Sequence, residues 1–138
     1  MQRRRFLQTL LAVSGMSGIL PHTRALTTST SQQILLQTSP VAGFQYHDGE
    51  NIWPQLIAGD ELQLIREPHN PRDSQAVRID WCGHPLGYVP RRDNTAVSQM
   101  LDRGERLSAR IATLQYDPNP WRRVAVDIGL VSYLAVGA

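Results

Sequence analysis

Ala76-Val77-Arg78-Ile79-Asp80-Trp81-Cys82-Gly83-His84-Pro85-Leu86-Gly87-Tyr88-Val89 is the stretch that decides the fold class. Residues 76–81 alternate apolar and polar, the period-two pattern of a half-buried strand. Cys82-Gly83 supplies a turn, and residues 85–89 return the chain, so the segment reads as a hairpin with a polar outer face. Working outward, Glu61-Leu62-Gln63-Leu64-Ile65-Arg66 alternates in the same way after the turn pair Gly59-Asp60. Val41-Ala42-Gly43-Phe44-Gln45-Tyr46 is a further strand candidate, ended by a turn at Asp48-Gly49. Two longer strands follow, over residues 107–115 and 121–130, joined by the rigid loop Pro118-Asn119-Pro120. One helix interrupts them: Asp93 or Asn94 as N-cap, Ala96, Val97, Met100 and Leu101 as the apolar face, Gly104 as the stop. The pattern predicts a mainly β domain over residues 41–130. A small antiparallel barrel is its natural form, because closure removes sheet edges.

The flanks read differently. The chain has 138 residues and a formal charge of +2, with 14 cations that are all Arg. Arg3, Arg4 and Arg5 precede a short apolar run to Leu20, and Pro21-His22-Thr23-Arg24-Ala25 follows. This is the layout of an export signal over residues 1–25, and Arg3-Arg4-x-Phe6-Leu7 is twin-arginine-like. The apolar run is too short for a bilayer span, so no stable membrane insertion is expected after cleavage. Residues 26–40 are rich in Ser, Thr and Gln and predict a polar linker; residues 131–138 predict a C-terminal tail. Cleavage after residue 25 removes four arginines and no acid, leaving ten arginines against twelve acids. The basic balance therefore belongs to the leader, and a nucleic-acid reading has to rest on placed residues. Export places the mature domain in the periplasm, or in the cytoplasm if the signal is unused.

Composition also removes chemistries. Without lysine there is no Schiff base, Walker-type phosphate loop or Ser–Lys dyad. A single cysteine, Cys82, excludes an internal disulfide or a CxxC knuckle. The densest chemistry lies in Arg66-Glu67-Pro68-His69-Asn70-Pro71-Arg72-Asp73-Ser74-Gln75-Ala76, between two strands. As a plain loop, Asn70 before Pro71 starts a turn and Asp73 caps backbone N–H groups. His47, His69, His84 and Cys82 lack a recognised metal-ligand spacing, so no metal or other cofactor is expected. Ser74, His69 and Asp73 share one short loop without a nucleophile elbow, so no hydrolase is expected either.

Residues 41–46, the run Glu67-Pro68-His69-Asn70-Pro71-Arg72-Asp73-Ser74-Gln75-Ala76-Val77, and Leu86-Gly87-Tyr88-Val89-Pro90 together resemble a HIRAN domain. The resemblance implies an OB-like or SH3-like barrel, no enzymatic activity, and a grip on the 3′-hydroxyl end of single-stranded DNA. Carried over by position, Tyr46 would stack on a base and Asp73 would accept a hydrogen bond from the terminal hydroxyl. Asn70 would brace the loop or bond the nucleotide, Arg91 would meet a phosphate, and Tyr88 would donate a hydrogen bond where the family often has His. Trp121 would form a second aromatic wall. Gln45 stands where the DNA-end binders carry a phosphate-binding Arg, and Arg72 replaces a stacking aromatic, its guanidinium plane still able to stack. The competing expectation is an exported module that keeps the fold and binds an envelope protein or a glycan.

Overall fold

A computed structural model describes residues 30–134. Six antiparallel strands form one sheet in the order β1-β6-β5-β2-β3-β4. They are β1 (Thr30–Pro40), β2 (Glu61–Glu67), β3 (Ala76–Trp81), β4 (His84–Tyr88), β5 (Leu107–Leu114) and β6 (Val124–Leu134). Two short helices, α1 (Gly49–Ile52) and α2 (Thr95–Asp102), complete the mainly β fold. The export signal expected over residues 1–25 lies outside the described residues, as does the end of the expected tail.

The hairpin is where its sequence placed it. Cys82 and Gly83 both take positive φ, 47° and 82°, the conformation that lets a two-residue turn follow the strand twist. Helix α2 begins after Asn94 and ends before Gly104, whose φ is 81°. Val97 is buried, whereas Ala96 is exposed.

Three expectations are corrected. From Thr30 the supposed linker is strand β1, paired with β6 from Thr30↔Leu134 to Pro40↔Ala125. Its Ser/Thr/Gln composition reads as linker because residues 30–36 are exposed and offer no period-two burial. The tail is likewise strand as far as Leu134. Residues 41–46 are not a strand: Ala42 makes an isolated bridge, and Phe44–Tyr46 is a 3-10 turn leading into α1 instead of a plain Asp48-Gly49 turn. Phe44 drives that departure, because it is fully buried against the edge of Trp53 at 6.0 Å.

The Ala42 bridge closes the barrel. Sheet order leaves β1 and β4 as the edges. Where the chain leaves β1, Ala42 N–H donates to Tyr88 O at 2.8 Å and Tyr88 N–H donates to Ala42 O at 2.9 Å. Gly87 permits this approach. Its φ is 151°, and a Cβ there would sit 2.3 Å from Ala42 O and 2.6 Å from Val41 Cγ1. Inside the closed wall, Val41, Phe44, Val77, Ile79, Leu86, Ile111, Val126 and Ile128 form the core.

Candidate nucleic-acid interface

The segment 67–75 is a chain of small turns. Asn70 N–H donates to Glu67 O, Asp73 N–H to Asn70 O, and Ala76 N–H to Asp73 O, at 3.1–3.3 Å. Short polar side chains hold the corners: Asn70 Oδ1 accepts from Arg72 N–H and Asp73 Oδ1 from Gln75 N–H, both at 2.9 Å. These are the turn roles that Asn and Asp play through bonds to backbone two residues on. Asp73 Oδ2 also accepts from the amide of Asn94 at 2.8 Å, and Asn94 is buried. Arg91 folds over the same loop, donating to Arg72 O, with its Nε 3.9 Å from Asp73 Oδ2.

A polar network underlies the loop. Glu67 Oε1 accepts from Tyr88 Oη at 2.7 Å and from Asn70 Nδ2 at 3.0 Å, while Oε2 accepts from Arg78 at 2.7 Å. Arg78 also forks onto both oxygens of buried Asp80, at 2.8 and 3.1 Å. Partial burial by itself would push the Glu67 carboxyl up. The bonds from Tyr88 and Asn70 and the charge and bond of Arg78 outweigh it and hold the pKa below its ordinary value. The Tyr88 phenol shifts up, first through burial and then through its bond to and the charge of Glu67. Asp80 and Glu67 together raise the Arg78 pKa. Glu67 thus fixes two things at once, the tilt of the Tyr88 ring and the position of Asn70.

Above this network lies an open cleft of about 540 Å³. Tyr46, Asn70, Arg72, Asp73, Tyr88 and Arg91 all line it, drawn from the 3-10 turn, the loop, β4 and the segment before α2. Tyr46 is 81% exposed, so nothing in the described residues covers its ring. Arg72 and Arg91 are exposed at the rim, and the Asp73 side chain keeps 20% exposure below them. Gln45 and Trp121 are outside the lining. Gln45 is exposed on the same 3-10 turn as Tyr46. Trp121 sits on a separate turn, Pro120–Arg122, with the Arg92 guanidinium 5.9 Å from its ring centroid. Tyr88 differs from expectation in one respect: its hydroxyl proton is committed to Glu67, so it faces a ligand as ring and acceptor.

His47 lines the cleft without having been singled out for it. Its Nδ1 donates to Gly43 O at 2.7 Å, and its ring meets Tyr88 edge-on at 5.6 Å. Asn94 was legible only as a helix cap; its side chain makes no cap bond and serves Asp73 instead. The other candidate metal ligands are dispersed. His84 lies 3.4 Å from Asp48, Cys82 is exposed at the hairpin turn, and His69 is exposed in the loop. Among the described residues no three His, Cys, Asp or Glu side chains gather as a metal site.

The HIRAN domain model matches residues 34–132, from within β1 to within β6. The chain belongs to the HIRAN domain family. A curated relative, the Fanconi-associated nuclease 1 homolog of Oryza sativa subsp. japonica, is 31% identical over 80 residues. That match takes 55% of this chain and only 8% of the rice protein. Among solved structures, a protein from Lactobacillus plantarum superimposes with a TM-score of 0.64 at 24% identity, covering 74% of this chain and 98% of that one. The HIRAN domain of human HLTF superimposes with a TM-score of 0.58 at 17% identity, over 73% and 78% of the two chains. At those identities the two structures speak for the fold. The matched span begins before residue 41 and runs past residue 130.

Proposed function

We propose that this HIRAN domain is a non-enzymatic module that binds DNA, taking the end of a single strand into the Tyr46–Asp73–Arg91 cleft and preferring a free 3′-hydroxyl. One observation carries the reading: six of the eight residues picked from sequence as contacts, distant along the chain, line one open cleft. The rice relative is named a nuclease, which is consistent with a nucleic-acid partner.

The chemistry of the cleft suits such an end. An uncovered tyrosine ring is a stacking platform for any base, worth about 1–3 kcal/mol per base. A carboxylate has roughly four acceptor sites, and Asp73 uses one on Gln75 N–H and one on Asn94. Acceptor capacity remains for a hydroxyl, whereas a phosphate at the same point would meet like charge. Arg91, pinned by Arg72 O, offers its remaining donors to the next phosphate along the strand. With few cations in the cleft, binding should be weakly salt-dependent.

The test is fluorescence anisotropy with short labelled single strands ending in 3′-hydroxyl or 3′-phosphate, at low and moderate salt. Tighter binding of the hydroxyl end, abolished by Asp73→Ala, is expected. Equal binding of both ends by the unaltered protein removes the end-recognition reading. No binding even at low salt favours the second reading, an exported module for a protein or glycan, to which the excess of acids over arginines in residues 26–138 also points. Export to the periplasm is part of the proposal. It is tested by fusing residues 1–30 to a reporter active only outside the cytoplasm.

A further inference from the structure

We propose that Asn94 is the positioning residue that gives the cleft its preference for a hydroxyl over a phosphate, and that a bulge in β1 serves to hold it. The inference rests on the end-recognition reading above and adds what sets the selectivity. Asparagine before a helix ordinarily caps it, but the Asn94 side chain makes no cap bond to α2. It is buried, and Nδ2 donates instead to Asp73 Oδ2 at 2.8 Å. A carboxylate only accepts, so the amide nitrogen is the atom that faces it. With Oδ1 held by Gln75 N–H at 2.9 Å, each oxygen of Asp73 has one fixed donor, and both donors are neutral. The nearby cation, Arg91, is 71% exposed, and its Nε stays 3.9 Å from Oδ2, beyond hydrogen-bond reach. The anchors thus fix the direction of the carboxylate and leave its charge in place. Fixed lone pairs receive a hydroxyl, and the retained charge turns a phosphate away.

Asn94 has its own anchor, supplied by β1. Leu35 pairs with Gly129 and Gln37 with Ile128, so the ladder to β6 shifts register at Leu36. In an unbroken ladder Gln37 would lie opposite Asp127. The extra residue sets it opposite buried Ile128 instead, on the inner face, and re-aiming a side chain is a recurrent use of a bulge. There Gln37 Nε2 donates to Ser39 Oγ and to Asp93 O, both at 2.9 Å. Asp93 ends the 3-10 turn that carries Arg91, and Asn94 is the next residue. One line of contacts therefore runs from the bulge through Gln37 to the 93–94 corner, and through Asn94 to Asp73.

The full chain is tested by fluorescence anisotropy with short labelled single strands ending in 3′-hydroxyl or 3′-phosphate, reading the ratio of the two affinities. Asn94→Leu keeps the size and removes the donor. It should lower the ratio about tenfold, the worth of a hydrogen bond to a charged group, with the phosphate end bound as before. A merely structural role would weaken both ends alike. Gln37→Met is as long but cannot donate, and should lower the ratio about two- to threefold. It carries the test if circular dichroism shows that Asn94→Leu does not fold. A folded Asn94→Leu or Gln37→Met protein with the ratio of the unaltered chain, or with equal losses at both ends, overturns the inference while end recognition stands. An unaltered chain without a preference removes the end-recognition reading itself, and this inference with it.

Discussion

Replacing Gly87 by alanine attacks the point where the barrel closes. At φ 151° any side chain is strained, a cost of about 1–3 kcal/mol. The added methyl would also lie 2.3 Å from Ala42 O, a backbone atom that cannot rotate away. Relief requires Ala42 and β4 to part, which forfeits the two bonds between Ala42 and Tyr88, each worth about 0.5–1.5 kcal/mol. The sum is about 2–6 kcal/mol, a loss of roughly 10 °C or more in Tm for a domain of this size. Gly83→Ala is the control: its φ is 82°, but nothing lies within 4 Å of its Cβ, so it carries the strain alone. Urea unfolding of both variants by circular dichroism separates the two terms. Equal losses, or a Gly87→Ala protein within about 1 kcal/mol of the original, would refute the role given to the close approach.

The other expectations concern the cleft and its support. Tyr46→Ala should leave the unfolding midpoint unchanged, since the ring is exposed, while weakening single-strand binding by about 1–3 kcal/mol in an anisotropy titration. Cys82→Asn should raise stability by about 0.5–1 kcal/mol, because Asn tolerates the left-handed φ of 47° better than Cys; a lower midpoint in thermal unfolding would contradict this. Glu67 has a folded pKa below its unfolded one, so its contribution is fully present above the ordinary carboxylate range and is lost as pH falls through the folded value. Urea midpoints measured from neutral pH downwards should therefore fall less steeply in Glu67→Gln than in the unaltered chain.

The parts of the fold legible in the sequence were those with a local cause. Alternation marks β2 because Leu62 and Leu64 turn inward between exposed neighbours, and β3 because Val77 and Ile79 alternate with Arg78 and Asp80, while the Cys82-Gly83 turn and Gly104 stop follow from backbone geometry at single residues. The loop 67–75 was readable for the same reason: Asn70 and Asp73 bond backbone two residues on. Strand β1 was not legible, since its partner lies about ninety residues away and its exposed face carries no pattern. Nor was the role of Asn94, whose bond to Asp73 spans 21 positions. The network joining Glu67, Arg78, Asp80 and Tyr88 escaped for a similar reason: each looks like a solvent-facing polar residue in its strand until β2, β3 and β4 are laid side by side. Tyr46 and the loop were brought together by a resemblance, whereas the reason they meet is the Ala42–Tyr88 bridge.

That bridge is two hydrogen bonds wide, and the cleft straddles it. Ala42, Gly43, Tyr46 and His47 lie on one side and Asn70, Asp73, Tyr88 and Arg91 on the other. Any molecule that fills the cleft touches both lips of the joint and acts as a clasp across it. Opening the joint then requires releasing the occupant, so the cost of local opening grows with occupancy by RT ln(1 + [L]/Kd). The amide hydrogens of Ala42 and Tyr88 should accordingly exchange with solvent more slowly as ligand is added, with the core amides of β5 and β6 less affected. Hydrogen exchange at these two positions would thus report binding from inside the wall of the barrel, without a label on either partner.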